Sequence, residues 1–254
     1  MKTAFITGST SGIGKALAKE LIKKEYKIII HGRNKEKLEK AAKELGKKNV
    51  LAVIEADLTQ PGIGHFIFEK IKKEKVHIDL IINNAGFGLY GDFTKTAFKT
   101  EAEMIAVNIT ALTEFTKLAL IKMKQQGSGH IVNIASTAAF QPGPFMSVYF
   151  ATKAYVLSLT ESIAAETKNS KIKVQVMCPG PVKTEFQEKS KSSALKMMKS
   201  SRSATPEMTA KFIVKKLDSN DVVLIRGIQN NLLSLLSKFM PRTATRVVMH
   251  GVMK

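Results

Sequence analysis

Apolar residues fall into two kinds of stretch that alternate along the 254-residue chain. Short, nearly continuous apolar runs stand at TAFIT (3–7), KIIIH (27–31), VLAVI (50–54), DLIIN (79–83), HIVNI (130–134) and IKVQVM (172–177), with a late run DVVLI (221–225). Longer amphipathic stretches separate them, roughly 12–45 on either side of the second run, then 61–75, 98–126 and 146–168. Continuous short runs suit parallel strands buried on both faces. Strands alternating with helices imply right-handed βαβ units. The pattern predicts an α/β fold, a Rossmann-type doubly wound parallel sheet forming a single domain over 1–254, with DVVLI as an edge strand. The least regular region is 185–205, rich in Ser, Lys and Met, and reads as a mobile loop with a short helix.

Composition changes this picture little. Hydrophobic residues make up 44%, as in a globular protein. The lone cysteine, Cys178, excludes an intramolecular disulfide and points to a reducing compartment, where it packs as a small core residue. No apolar run approaches the ~18 residues of a membrane span. The opening MKTAFITG is too short for a signal-peptide core, so a cytoplasmic protein is expected. The net charge of +19 raises nucleic acid, anionic membrane or acidic ligands as partners. Many lysines, however, alternate with apolar residues at helical spacing, in KALAKELIKKEY (15–26) and NKEKLEKAAKEL (34–45), as on solvated helix faces. Zinc-ligand spacing, RNP motifs and aromatic interleaving are missing from the sequence, so no specific nucleic-acid partner and no metal site are expected.

Chemistry enters at TGSTSGIG (7–14), where the first strand turns directly into a helix. Glycines at 8, 12 and 14 permit a tight turn and close approach of a ligand, and the helix N-terminus suits a pyrophosphate. At the end of the second strand, Gly32 stands where a carboxylate for a ribose 2′-hydroxyl is expected, and Arg33 follows. A guanidinium suits a phosphate, so NADP(H) is favoured over NAD(H). In SVYFATKAY (147–155), Tyr149 and Lys153 are one helical turn apart on the same face. A lysine beside a phenol favours the phenolate; moving tyrosine from ~10 to ~7 takes about 4 kcal/mol, within reach of one lysine and a second cation in a dry site.

Together with Asp57 after the third strand, NNAG (83–86), Asn108 in VNIT, Ser136 in IVNIAS and PGPVKT (179–184), these pieces make the chain resemble the classical short-chain dehydrogenase/reductase family up to about residue 185. The resemblance implies a reversible, NADPH-dependent reduction of a carbonyl (ketone, aldehyde or 3-oxoacyl type) to an alcohol. Tyr149 would be the general acid/base and Ser136 would hold the carbonyl oxygen. Lys153 would lower the Tyr149 pKa and bind the nicotinamide ribose, and Asn108 would order a water at an interrupted helix. Gly8, Ser11, Gly12, Ile13 and Gly14 would line the pyrophosphate loop. Arg33 would bind the adenosine phosphate, Asp57 and Leu58 would meet the adenine, and Asn83, Ala85 and Gly86 would flank the adenosine ribose. Pro179, Gly180, Val182 and Thr184 would close over the nicotinamide amide.

Each piece also has a plainer reading. Asn83 and Asn84 suit a turn, Ser136 a strand end, and Asp57 a helix cap ahead of Pro61. His31, His65, His77, His130 and His250 share no spacing and are assigned no catalytic role. An NADP(H)-binding regulator or scaffold with little catalysis is the alternative function; polyanion binding through the +19 charge is a third.

The substrate side should lie between 87–95, 137–146 and 185–205. It draws on Phe87, Leu89, Tyr90, Phe93, Phe140, Phe145, Phe186, Leu195, Met197 and Met198, an apolar lining for a small hydrophobic carbonyl compound. A C-terminal extension, about 228–254, carries an amphipathic segment Leu232–Met240, a break at Pro241-Arg242 and a second stretch Arg246–Met253. It has three possible placements: over the cleft, on a partner subunit, or on a membrane surface. Packing against the protein itself is the expectation. A homodimer through 98–126 and 146–168 is favoured, with a tetramer as the other option.

Overall fold

The computed structural model describes residues 2–73, 76–190, 192 and 204–253. Strands β1 (Thr3–Ile6), β2 (Lys27–Gly32), β3 (Val50–Glu55), β4 (Leu80–Asn83), β5 (Gly129–Ile134), β6 (Ile172–Cys178) and β7 (Val223–Ile225) form one sheet in the order β3-β2-β1-β4-β5-β6-β7. Every pairing is parallel. All seven predicted runs are strands, with DVVLI at the edge. Helices α1 (Gly12–Ile22), α2 (Lys35–Leu45), α3 (Ile63–Lys73), α4 (Phe98–Gln126), α5 (Ser147–Glu166), the short α6 (Phe186–Lys189) and α7 (Pro206–Lys216) follow in chain order. The C-terminal extension forms α8 (Ile228–Phe239) and α9 (Arg242–Met253), parted at Pro241 as the sequence indicated.

Strand alternation feeds two layers. Ala4, Ile6, Ile28, Ile30, Leu80 and Ile82 face α1, α2 and α7. Phe5, Ile29 and Ile81 face α3 and α4. Both faces are covered, which is why the strands read as unbroken apolar runs. Helix α4 is long and apolar enough to cross a membrane, with Glu114 and Lys117 the only charges between Met104 and Ile121. The sequence expectation of no such stretch is therefore corrected. Its Phe115, Ala119 and Met123 side is buried in the sheet's core, as in a core helix.

Two buried histidines make the fold acid-sensitive. Burial pushes His31 and His130 down from 6.5 to about 4. The unfolded chain therefore binds protons that the folded chain refuses, and stability is lost as pH falls from 6.5 towards 4. Each histidine accounts for roughly 2 kcal/mol between pH 7 and pH 5, estimated from that shift. Urea unfolding at the two pH values should show the summed loss; equal stabilities at both would contradict the buried neutral state.

Candidate active site

The order of strands reverses direction between β1 and β4, and the chain leaving their carboxyl ends opens a cleft at that point, the usual ligand position in such sheets. The cleft measures about 640 Å³, and its lining includes Arg33, Asp57, Phe186 and Met253.

The loop after β1 is braced from both sides. Thr7 Oγ1 accepts from Asn84 N and Ala85 N, each at 3.0 Å. Asn84 Nδ2 donates to Thr7 O at 2.9 Å and Gly8 O at 3.2 Å. Gly8 N donates to His31 Nδ1 at 3.1 Å, and His31 Nε2 meets Ala56 O at 3.2 Å. Burial keeps that ring neutral, so Nδ1 accepts and Nε2 carries the proton. Gly8 and Gly12 take φ of 64° and 53°, where other residues are strained. A Cβ on Gly14 would come within 2.3 Å of Gly8 O, so the loop needs glycine there.

Gly8, Ser11, Gly12, Ile13, Arg33, Asp57, Leu58, Ala85, Gly86, Pro179, Gly180, Val182 and Thr184 all line the cleft. Gly14 and Asn83 do not. Gly14 acts behind the loop, and Asn83 turns into the core, donating to Thr116 Oγ1 at 3.1 Å and Asn133 Oδ1 at 2.8 Å. Asn84 takes its place in the wall. Asp57 forms an Asx turn, accepting from Thr59 N at 3.0 Å, and α3 starts only at Ile63, so Asp57 does not cap that helix. A Cβ on Gly32 would lie 2.7 Å from Thr10 Cγ2, so a larger residue there would displace the Thr10 methyl. An adjoining recess of about 310 Å³ is lined by Thr10, Ser11, Lys15, Lys37, Lys40, Glu44 and Glu185, with Lys15 paired to Glu44 at 2.5 Å.

Ser136, Tyr149 and Lys153 also line the cleft. Ser136 Oγ accepts from Ala138 N at 3.1 Å and reaches Pro179 O only at 3.4 Å, a weak bond that leaves its hydrogen available. Its hydroxyl draws the Tyr149 phenol's pKa down, against the larger effect of burial. Tyr149 packs between Phe150 and Phe186, and burial pushes its pKa up to about 12. Lys153 is buried and lowered to about 8; its Nζ donates to Ile134 O at 2.9 Å and lies 5.8 Å from the Tyr149 ring centre. The one-turn spacing is as expected. The expected lowering of the phenol by Lys153 is not found, because the ammonium is aimed at Ile134 O and the dry surroundings disfavour phenolate.

Asn108 sits in a widened helical turn over Ala106–Ala111 and is fully buried. Its Nδ2 donates to Phe87 O at 2.9 Å and Thr152 Oγ1 at 3.1 Å, and its Oδ1 accepts from Phe87 N at 3.1 Å. It thereby ties the loop after β4 to α5. Gly86 lies against it: an added Cβ would be 3.0 Å from Asn108 Oδ1 and 3.4 Å from Lys153 Nζ.

Of the apolar residues foreseen for the substrate side, Phe87, Leu89 and Phe186 line the cleft, joined by Met146, Phe150 and Met253. Tyr90 and Phe145 instead pack on one another with their rings tilted at 48°, and Tyr90 Oη donates to Met253 O at 3.1 Å, tying the end of α9 to the loop after β4. Phe93 is exposed and Phe140 packs by Leu112 and Val156. Leu195, Met197 and Met198 lie outside the described residues. The sequence reading missed Asn84, His31 and Met253. His31 stood at a strand end beside the glycine loop, which was the available signal.

A doubly wound sheet with a glycine loop at its switch point and a Ser/Tyr/Lys centre defines a class of dehydrogenases. Residues 2–194 match the short chain dehydrogenase family, and the chain belongs to that family of oxidoreductases. An uncharacterised oxidoreductase of Staphylococcus epidermidis is 34% identical over 187 residues, 74% of this chain and 80% of that protein. A short-chain dehydrogenase of Sphingobium yanoikuyae solved with NADPH superposes with a TM-score of 0.82 at 26% identity, covering 95% of this chain and 97% of that one. The 3-ketoacyl-(acyl-carrier-protein) reductase of Brucella melitensis, solved with NADH, gives 0.77 at 26% identity over 89% and 96%.

Proposed function

We propose that the protein is an NADPH-dependent carbonyl reductase acting on a small hydrophobic ketone, aldehyde or 3-oxoacyl compound. The observation that carries this reading is the convergence of Ser136, Tyr149 and Lys153 on one cleft that Arg33 also lines. A dinucleotide fits the cleft. The glycine loop at 8–14 accepts close approach, and a Cβ at Gly12 would be 3.3 Å from Thr184 Cγ2, narrowing the passage between the two walls. Gly8, Ser11, Gly12 and Ile13 would hold the diphosphate, with Asp57 and Leu58 at the adenine and Asn84, Ala85 and Gly86 at its ribose. Arg33 would hold the 2′-phosphate, with Lys40 in the adjoining recess, where Lys15 and Lys37 pair with Glu44 and Glu185. Pro179, Gly180, Val182 and Thr184 would meet the carboxamide, and Lys153 the nicotinamide ribose.

When bound, the reduced nicotinamide supplies the hydride. Tyr149 enters the reaction as an acid, because its surroundings keep the phenol protonated. It gives its proton to the carbonyl oxygen while the Ser136 hydroxyl donates a hydrogen bond to the same oxygen. Lys153, held by Ile134 O at 2.9 Å, would act through the bound nicotinamide ribose rather than on the phenolate. Asn108 holds the Gly86–Phe87 backbone against α5 and so keeps the cleft's floor in register.

Lys153 gives the pH dependence its sign. Its ammonium is present below about 8 and lost above. The kcat/KM for NADPH-dependent reduction, which reports the free enzyme, should be level near pH 7 and fall about tenfold per pH unit above 8. A profile level to pH 10 would remove Lys153 from this role. On the outside of α4 and α5, Phe98, Ile105, Ile121 and Tyr155 are exposed and support a homodimer through these helices.

A further inference from the structure

The polar and apolar sides of α8 are reversed relative to a helix packed on a core. Its inward positions are polar: Ser234 is 5% exposed, and Asn230 lies against Gly180, where an added Cβ would be 2.6 Å from Asn230 Nδ2. Asn230 Nδ2 donates to Arg226 O at 2.7 Å, Asn231 Nδ2 to Ile225 O at 3.0 Å, and Ser237 Oγ to Ser234 O at 2.8 Å. Its leucines point away from the body. Ile228 is 87% exposed and Phe239 80%, and Leu232, Leu233, Leu235 and Leu236 are 49–61% exposed. Helix α9 buries Thr245, Met249 and Met253 on one side and exposes Val247, Val248 and Val252 on another. Ten of the eighteen large apolar side chains exposed among the described residues fall within 228–252. Scattered exposed apolar residues need no explanation, but a concentration of this kind marks an interaction surface.

Charge identifies what covers it. From residue 222 to the C-terminus the sequence has no Asp or Glu, and it carries Arg226, Lys238, Arg242, Arg246 and Lys254. A second copy would bring its own exposed Arg242 and Arg246 against the same residues of the first and be repelled. A lipid surface with negative headgroups complements both features, taking the apolar chains into the acyl boundary and the cations at the headgroups. We propose that α8 and α9 form a docking surface for an anionic lipid bilayer. The two helices supply two insertions rather than one, which matters because a single weak anchor gives marginal binding. Met253 lines the cleft on the inner side of α9 and its carbonyl is held by Tyr90, so docking sets the cleft's opening beside the membrane. The docking surface stands or falls independently of the reductase reading.

The test is co-sedimentation of the full chain with vesicles of phosphatidylcholine alone and of phosphatidylcholine with phosphatidylserine. Binding to the anionic vesicles is expected, weakening with salt and negligible on the neutral ones. Leu233→Asp with Leu236→Asp should lower the partition coefficient at least tenfold. Arg242→Glu with Arg246→Glu should lower it by roughly fivefold or more per charge removed. Light scattering of the same variants separates the other occupant. An assembly unchanged by Leu233→Asp and Leu236→Asp supports the proposal. A dimer that these substitutions split into monomers makes the face a subunit contact and overturns it. Equal binding to both vesicles, or to neither, also overturns it.

Discussion

Replacing Tyr149 by phenylalanine is expected to lower kcat by roughly a hundredfold to ten-thousandfold, the range for loss of a positioned general acid. The variant removes one hydroxyl and keeps the ring, which packs against Phe150 at 6.0 Å and Phe186 at 5.4 Å between ring centres. The fold and the cleft wall should therefore persist, and NADPH affinity should change by less than about threefold, far below the several kcal/mol of a lost catalytic group. Fluorescence titration with NADPH and steady-state turnover separate the two effects. Full turnover in the variant would remove Tyr149 from the chemistry and leave Ser136 and Lys153 without a proton donor between them.

The second large effect concerns Arg33 in the cleft lining. Arg33→Ala should weaken NADPH binding by about tenfold or more while leaving NADH within about twofold, since hydrogen bonds to charged groups contribute ~1.5–3 kcal/mol. The lower end is expected because Arg33 is exposed and Lys15, Lys37 and Lys40 line the adjoining recess. Lys37 also pairs with Glu185 at 3.8 Å, next to the start of α6, so adding Lys37→Ala should lower NADPH affinity further. Paired titrations of both nucleotides on each variant check this. Equal losses for NADPH and NADH would mean that Arg33 does not read the 2′-phosphate.

Much of the architecture was legible because strands covered on both faces and amphipathic helices have different apolar periods. Gly8, Gly12, Ser136, Tyr149 and Lys153 were legible because their chemistry depends on short-range order along the chain. Three features were not. Successive strand residues point to opposite faces, and nothing local says which of Asn83 and Asn84 ends in the core; here Asn83 joins Asn133 and Thr116, and Asn84 braces the loop. A one-turn spacing brings the stems of Tyr149 and Lys153 together but does not fix where a long ammonium points, and Ile134 O claims it. The amphipathic pattern of α8 says that the helix has two unlike sides, not which faces the protein. The expectation of packing against the body holds for the inner side of α9, whereas α8 turns its leucines outward.

The most direct measurement follows NADPH oxidation by the wild-type chain and Tyr149→Phe side by side, over a panel of hydrophobic ketones, aldehydes and 3-oxoacyl thioesters. Oxidation by the wild type with at least one of these, slowed at least about a hundredfold in a variant that still binds NADPH, is the result the account predicts. NADPH binding by both chains with no turnover by either, or turnover at the same rate by both, would contradict it.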